Sequence, residues 1–483
     1  MLDELAWGQD RAGGERFLQS AATPLPWPMA ESMRPKTEEK VLAINLDSSK
    51  YGSFAEIGAG QEVANWFFRS SATAGTVAKA MSAYDMTFSD SIYGKCQRYV
   101  SRSRMIQMLD HEYEILLERL AVPRGEETTF FAFANTVRAM PFDGKGECHG
   151  WLGVRLQLAP LSKPHDVLIH VRMLDRENVD QMEALGIVGV NLIYAAFFYR
   201  DNLALLTKSL IDGLSKERVE IDMLKFAGPG FEHIDNRLCA LELVANKLTD
   251  AAMFTPTGEV VQPAEILYKK PVLLIRGAFH PVTRVHLDML DQAREAFASE
   301  LGEDSKDPLE IMETTMDNVL VTGTVDKEEF LRRADVMQAL GKTVLISRFA
   351  EFYRITCYLA RYTDQPTGIT LGAALLEEIF NEKWYDDLEG GTLEAMGKLF
   401  MKHVKLYVYP GRNDGELLNT DNVPLVEHLR GIFKHLKELN QIVPLESQCP
   451  DLLDYTPSDV RAMREIDDER WLDLVPPEAG GRG

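Results

Sequence analysis

Residues 273–290 contain the arrangement in this chain best suited to chemistry. An apolar run, Leu273-Leu274-Ile275, stops at Arg276-Gly277. A turn follows through Ala278-Phe279-His280-Pro281-Val282, and an amphipathic stretch then opens with Thr283 and His286. These residue types in this order suit a phosphate. A glycine lets the backbone approach a ligand closely. A new helix offers free N–H groups and the positive end of its dipole. In an open parallel sheet, ligands sit at the carboxyl ends of the strands. The same strand–glycine–turn–proline–helix junction also occurs where nothing binds, because short motifs recur freely.

Other polar groupings are weaker. Gly58 and Gly60 precede a predicted helix and could cradle a phosphate or a carboxylate, but there is no Gly-Lys-Ser/Thr ending and no GxGxxG. His149, Arg155, His170, Arg172 and Asp175 fall on or beside neighbouring predicted strands. His170 and Arg172 share one face, being two apart, and could hold an anion or move a proton. The competing reading is a solvated sheet face. Asp235 reads as a helix N-cap. Ser347 and Arg348, just past a predicted strand, could contact a phosphate. The five cysteines show no CxxC spacing, and the histidines have no metal-ligand spacing, so no metal site is expected.

The elements that must position these groups are those of an α/β protein. The 483 residues are 45% hydrophobic and 26% charged, a globular composition long enough for more than one domain. Residues 41–46 read as a strand, 62–68 as a helix, 76–83 as a second helix and 102–120 as a third. Runs at 129–133, 151–158 and 166–173, about ten residues apart, predict an antiparallel meander. Residues 187–199 are a strand or a buried helix; periodicity does not decide. After residue 262 strands alternate regularly with helices, which predicts a mostly parallel, doubly wound sheet. The expected organisation is an extension or arm at 1–38, a mixed α+β domain at 39–262, a Rossmann-like domain at 263–440 and an acidic tail at 441–483. In the tail, Trp471 and Leu472 could anchor it to the body or to a partner.

A formal charge of −22 and a pI near 5.0 argue against broad binding to nucleic acid or anionic membrane. Residues 185–199 are the longest apolar candidate and fall short of the roughly 18 residues of a span, so no direct membrane insertion is expected. Scattered thiols and acids at Asp3 and Glu4 point to the cytoplasm, with an organelle interior left open.

The 277–286 segment resembles the first motif of the HxGH nucleotidylyltransferase superfamily, most nearly that of the nicotinamide-mononucleotide adenylyltransferases. Gly277, Phe279, Pro281, Thr283 and His286 match that motif, while Ala278 and His280 depart from it. The resemblance implies that His286 binds ATP phosphates and stabilises charge during in-line transfer. Thr283 stands at the family's first His/Thr position, and magnesium is expected to arrive with ATP. The nearest text to the family's second motif is Ile346-Ser347-Arg348-Phe349, with Arg354 further on; it lacks the threonine. The whole chain also resembles a group of bacterial proteins of similar length. Two functional expectations stand. One is a nucleotide-binding protein that transfers an adenylyl group from ATP to a nucleoside-monophosphate-like acceptor. The other is a non-enzymatic scaffold or assembly subunit, in a homo-oligomer or larger assembly, with a degenerate nucleotide site.

Overall fold

The computed structural model describes residues 34–141, 146–302, 307–321, 324–401, 403–413 and 415–481. The arm expected at 1–38 lies outside them up to residue 33. The fold is α/β, built on two sheets.

The first sheet contains β1 (Lys50–Gly58), β2 (Val77–Ala83), β3 (Thr129–Arg138), β4 (Cys148–Gln157), β5 (Pro164–Met173) and β6 (Val219–Ala227), in the order β2-β1-β3-β4-β5-β6. β1 is parallel to both neighbours, and β3 to β6 pair antiparallel, giving the expected meander. Side chains alternate as a half-buried strand requires. Leu152, Val154 and Leu156 pack under the long helix Asn178–Phe198, while Trp151 faces the other way. Gly153 lies so close to helix Arg102–Arg124 that a Cβ there would sit 2.3 Å from the Met105 sulfur. Asn178–Phe198 is the one helix among the described residues long and apolar enough to cross a membrane, and 78% of its apolar window is buried in this core.

Three early elements differ from expectation. Of residues 41–46, expected as a strand, 41–45 belong to a helix, Thr37–Asn45, in which Val41, Ile44 and Asn45 are buried and Leu42 and Ala43 exposed. A six-residue apolar run cannot by itself separate strand from helix. Residues 50–58, to which the sequence assigns no strand, form the interior strand β1. Residues 76–83, expected as a helix, form the edge strand β2. Pairing with β1 overrides the helix propensity of its alanines and methionine.

The second sheet contains β7 (Ala251–Phe254), β8 (Val260–Val261), β9 (Val272–Arg276), β10 (Leu309–Thr315), β11 (Thr343–Ser347), β12 (Thr367–Gly372), β13 (Val404–Tyr409) and β14 (Ile442–Pro444). The order is β14-β13-β12-β9-β10-β11-β7-β8, with all pairs from β14 to β11 parallel. Numbered from β9, the parallel strands run 3-2-1-4-5-6, the doubly wound dinucleotide-fold order. The order reverses at β9. Helices Arg284–Leu301 and Lys327–Ala339 cover one face, and Phe352–Leu359, Ala373–Ile379 and Gly391–Leu399 the other. The strands are buried on both faces, which is why their sequences are continuous apolar runs. One apolar core joins the Arg102–Arg124 side of the first sheet to the Arg284–Leu301 side of the second.

Candidate functional site

The 277–286 turn leaves the carboxyl end of β9, where strand order reverses. The Gly277 N–H donates to the Glu313 carbonyl of β10 at 3.0 Å. A Cβ at Gly277 would meet the Phe279 ring at 3.0 Å. Phe279 is buried with φ at 50°, a conformation that bulky residues rarely adopt, and its ring stands edge-on to His286 at 5.4 Å. The His280–Pro281 peptide is cis.

Thr283 is the N-cap of helix Arg284–Leu301. Its N–H donates to His286 Nδ1 at 3.0 Å, and its hydroxyl lies 2.9 Å from the same nitrogen. The imidazole thus replaces the usual Glu/Gln of a capping box. Burial pushes His286 down to about 4, so the ring is neutral at neutral pH with its proton on Nε2. Other N–H groups at this helix start are also occupied. The Arg284 N–H donates to the Leu474 carbonyl at 2.9 Å, its Nε to the Val475 carbonyl at 3.3 Å, and the His286 N–H to the Thr283 carbonyl at 3.1 Å.

The accepting carbonyls of Leu474 and Val475 come from the C-terminal segment. Val460, Trp471, Leu474 and Val475 make a small core of their own, while Leu472 stays exposed. Pro457 sits at the first position of helix Pro457–Glu465, capped by Thr456. Between this segment, the turn and helix Lys327–Ala339 lies a cavity of about 570 Å³. Phe279, His280, Arg332, Arg333, Arg461 and Arg464 are among its lining residues. Glu329 pairs with Arg332 at 2.6 Å and with Arg333 at 2.8 Å. Arg333 also reaches His280 Nδ1 at 2.5 Å; burial and this guanidinium hold the histidine below its usual range. Arg461 donates to the His280 carbonyl, and Arg464 lies over the Trp471 ring at 5.4 Å. Among the described residues neither Arg461 nor Arg464 has a carboxylate partner.

Ser347 and Arg348 sit elsewhere. The Ser347 hydroxyl donates to Glu313 Oε1 at 2.5 Å, and the same buried carboxylate takes two bonds from Arg276. Arg348 points to Asp250, 3.4 Å away. The structure therefore brings Gly277, Phe279, Pro281, Thr283 and His286 together and leaves Ser347 and Arg348 outside that group. Sequence reasoning missed the arginines of helices Lys327–Ala339 and Pro457–Glu465. Their only sequence signal was Arg461 and Arg464, three apart on one face of a capped helix.

The polar face of the first sheet is neither solvated nor an open anion site. Arg155 is clasped by Asp166 at 2.8 Å and by Asp110, Arg172 by Glu147 at 2.9 Å and by Glu220, and Asp175 by Arg218 at 2.8 Å. His149 and His170 are joined ring to ring. At the start of helix Val63–Arg69, beyond Gly58 and Gly60, the chain's own Glu56 accepts the Val63 and Ala64 N–H groups at 2.9 and 3.2 Å. That cradle is filled by an internal carboxyl group.

No family model and no curated protein matches the chain. Solved structures give only remote likenesses. The competence/damage-inducible protein CihA from Agrobacterium tumefaciens is 17% identical, with 38% of this chain and 99% of that one covered, at a TM-score of 0.24. A competence- or damage-inducible protein from Enterobacter asburiae is 16% identical, with 34% and 99% covered, also at 0.24. A CinA superfamily protein from Enterobacter cloacae is 15% identical, with 38% and 99% covered, at 0.25. Likenesses at this level carry no argument about what this chain does.

Proposed function

We propose that the cavity between the 277–282 turn and the C-terminal segment binds a phosphorylated nucleotide. The observation that carries this reading is the pair Arg461 and Arg464, two guanidinium groups without carboxylate partners among the described residues, on a cavity of about 570 Å³ at the carboxyl end of β9. The volume suits a ligand of nucleotide size. Arginine forks suit phosphate oxygens. Val282, Val336 and Val460 supply apolar lining for a base.

Adenylyl transfer from ATP to a nucleoside-monophosphate-like acceptor is the sharper form of this proposal. In it, His286, which is not among the residues lining the cavity, donates Nε2–H to a phosphate oxygen that reaches the helix start and stabilises the charge that builds up in transfer. Magnesium would arrive on the phosphates, since no cluster of three or more His, Cys, Asp or Glu among the described residues could hold a metal. Phosphate at the helix start also requires Leu474 to withdraw its carbonyl from Arg284.

Isothermal titration with ATP and magnesium tests both levels. The wild type is expected to bind. The double variant Arg461→Ala/Arg464→Ala should weaken binding about 100-fold, the loss of two charge-assisted contacts of about 1.5 kcal/mol each. His286→Ala should keep most of the affinity but lose pyrophosphate release. Absence of heat with ATP, AMP and pyrophosphate on folded wild type would sink the nucleotide reading. A second reading then leads, a non-enzymatic assembly subunit. It is favoured by the tail carbonyls that already fill the helix start, and size-exclusion chromatography would show its oligomer.

A further inference from the structure

The first sheet holds a relay of three side chains that the nucleotide reading does not use. Asp222 Oδ1 lies 2.6 Å from His170 Nδ1, and His170 Nε2 lies 3.0 Å from His149 Nδ1. Asp222 and His170 are each 1% exposed, while His149 is only partly buried. Sheet register creates the relay. His170 is opposite Trp151 on β4 and Met223 on β6; His149, two residues from Trp151, is its diagonal neighbour, and Asp222 is the extra, unpaired residue where the β6 register shifts beside Met223.

Proton positions follow from the acceptors. The Asp222 carboxylate accepts from His170 Nδ1–H, which leaves His170 Nε2 to accept from His149 Nδ1–H. His149 Nε2 is then a bare lone pair with no partner among the described residues. Burial and the neighbouring His170 push His149 down to about 4, so the ring is neutral at neutral pH. A histidine held unprotonated and in one tautomer by a second histidine and a buried carboxylate has the geometry of a positioned base.

His149 lines a cavity of about 70 Å³ together with Arg98, Ser101, Trp151, Gln262 and Glu265. One water needs about 10–15 Å³ of such space, so there is room for a water and a short acyl head, not for a sugar or a base. Arg98 is exposed and has no carboxylate partner among the described residues. Its charge reaches the His149 ring. A bare imidazole nitrogen beside an unpaired cation suits ester hydrolysis, which needs a base for water and a positive group for the developing oxyanion.

We propose that this cavity is a second catalytic site, which hydrolyses small acyl esters with His149 as general base. His149 Nε2 takes a proton from water as the water oxygen bonds to the ester carbonyl carbon. The carbonyl oxygen becomes an oxyanion facing Arg98. The bond from carbon to the leaving oxygen then breaks, and that oxygen takes the proton back from His149 Nε2. The products are a carboxylic acid and an alcohol. His170 and Asp222 are positioning residues that hold the His149 tautomer.

The test is hydrolysis of p-nitrophenyl acetate by the full chain. Wild type is expected to show saturable turnover above that of the same concentration of free imidazole. His149→Ala should lose about 100-fold, the low end of what a positioned base contributes, and added imidazole should restore part of it. Asp222→Asn should lower kcat with KM unchanged. Arg98 is exposed, so Arg98→Met will fold, and it should lower kcat even where His149→Ala proves unstable. Wild type no faster than free imidazole, or folded His149→Ala and Arg98→Met as active as wild type, overturns the proposal.

Discussion

Glu313→Ala is expected to cost about 3–5 kcal/mol of folding stability, the penalty for stranding one partner of a buried ion pair. Glu313 is 0% exposed. Its carboxylate accepts from Arg276 Nε at 2.5 Å and Nη2 at 2.9 Å, and from the Ser347 hydroxyl at 2.5 Å. Arg276 is also committed elsewhere, to the Ala350 carbonyl at 3.0 Å and the Phe352 ring at 4.4 Å. Without the carboxylate a guanidinium stays buried with no counter-charge. Three strand ends, β9, β10 and β11, lose their common tie beside the Gly277 turn. Ser347→Ala removes one hydrogen bond and should cost about 1 kcal/mol. Replacing both charges, Arg276→Met with Glu313→Leu, should recover most of the loss, because apolar groups need no partner. Urea unfolding measures all three. A Glu313→Ala loss below that of Ser347→Ala would show that the pair does not hold the strand ends.

This cluster also shows what the sequence could and could not reveal. Arg276, Glu313 and Ser347 lie on three separate strands, and nothing local ties them together. The strands themselves were legible. Val272–Arg276, Thr343–Ser347 and Val404–Tyr409 are apolar runs bounded by Gly, Pro or a capping residue, as strands buried on both faces must be. Asp235 as N-cap of Asn236–Ala245 was readable for a similarly local reason, and its carboxylate does accept the Arg237 N–H. β1 was not legible, because a central strand of small and polar residues looks like a turn. Its Gly52 is there so that the Phe131 ring can lie across it, 2.5 Å from where a Cβ would be. The 277–286 turn was visible as a motif, but the chain that covers it was not. Arg461 reaches the His280 carbonyl across 181 residues of sequence. His149 and His170 were both named from strand spacing, but the sequence paired His170 with Arg172 and not with His149. Asp222 was missed, although a period of two along β6 aligns it with Glu220 on one face.

Glu56 sets a pH dependence of comparable size. It is 2% exposed on β1, and burial pushes it from 4.5 up to about 7. The Val63 and Ala64 N–H groups and the Asn135 amide, at 2.9, 3.2 and 3.3 Å, oppose that rise without cancelling it. The folded state therefore holds the Glu56 proton more tightly than the unfolded chain does. Below pH 4.5 both states are protonated, and the contribution is at its most favourable. Between 4.5 and about 7 the unfolded chain ionises first, so stability falls as pH rises. Above 7 the loss is complete, at about 3 kcal/mol for a shift of this size. Glu56→Gln removes the titration. Its stability difference from wild type should move by about 3 kcal/mol in favour of the variant between pH 4.5 and 7.5. Denaturant unfolding of the two proteins across that range reads the difference directly, cancelling every other group that titrates alike in both. A constant difference would mean that the three donors keep Glu56 ionised, and that the start of helix Val63–Arg69 holds a carboxylate throughout.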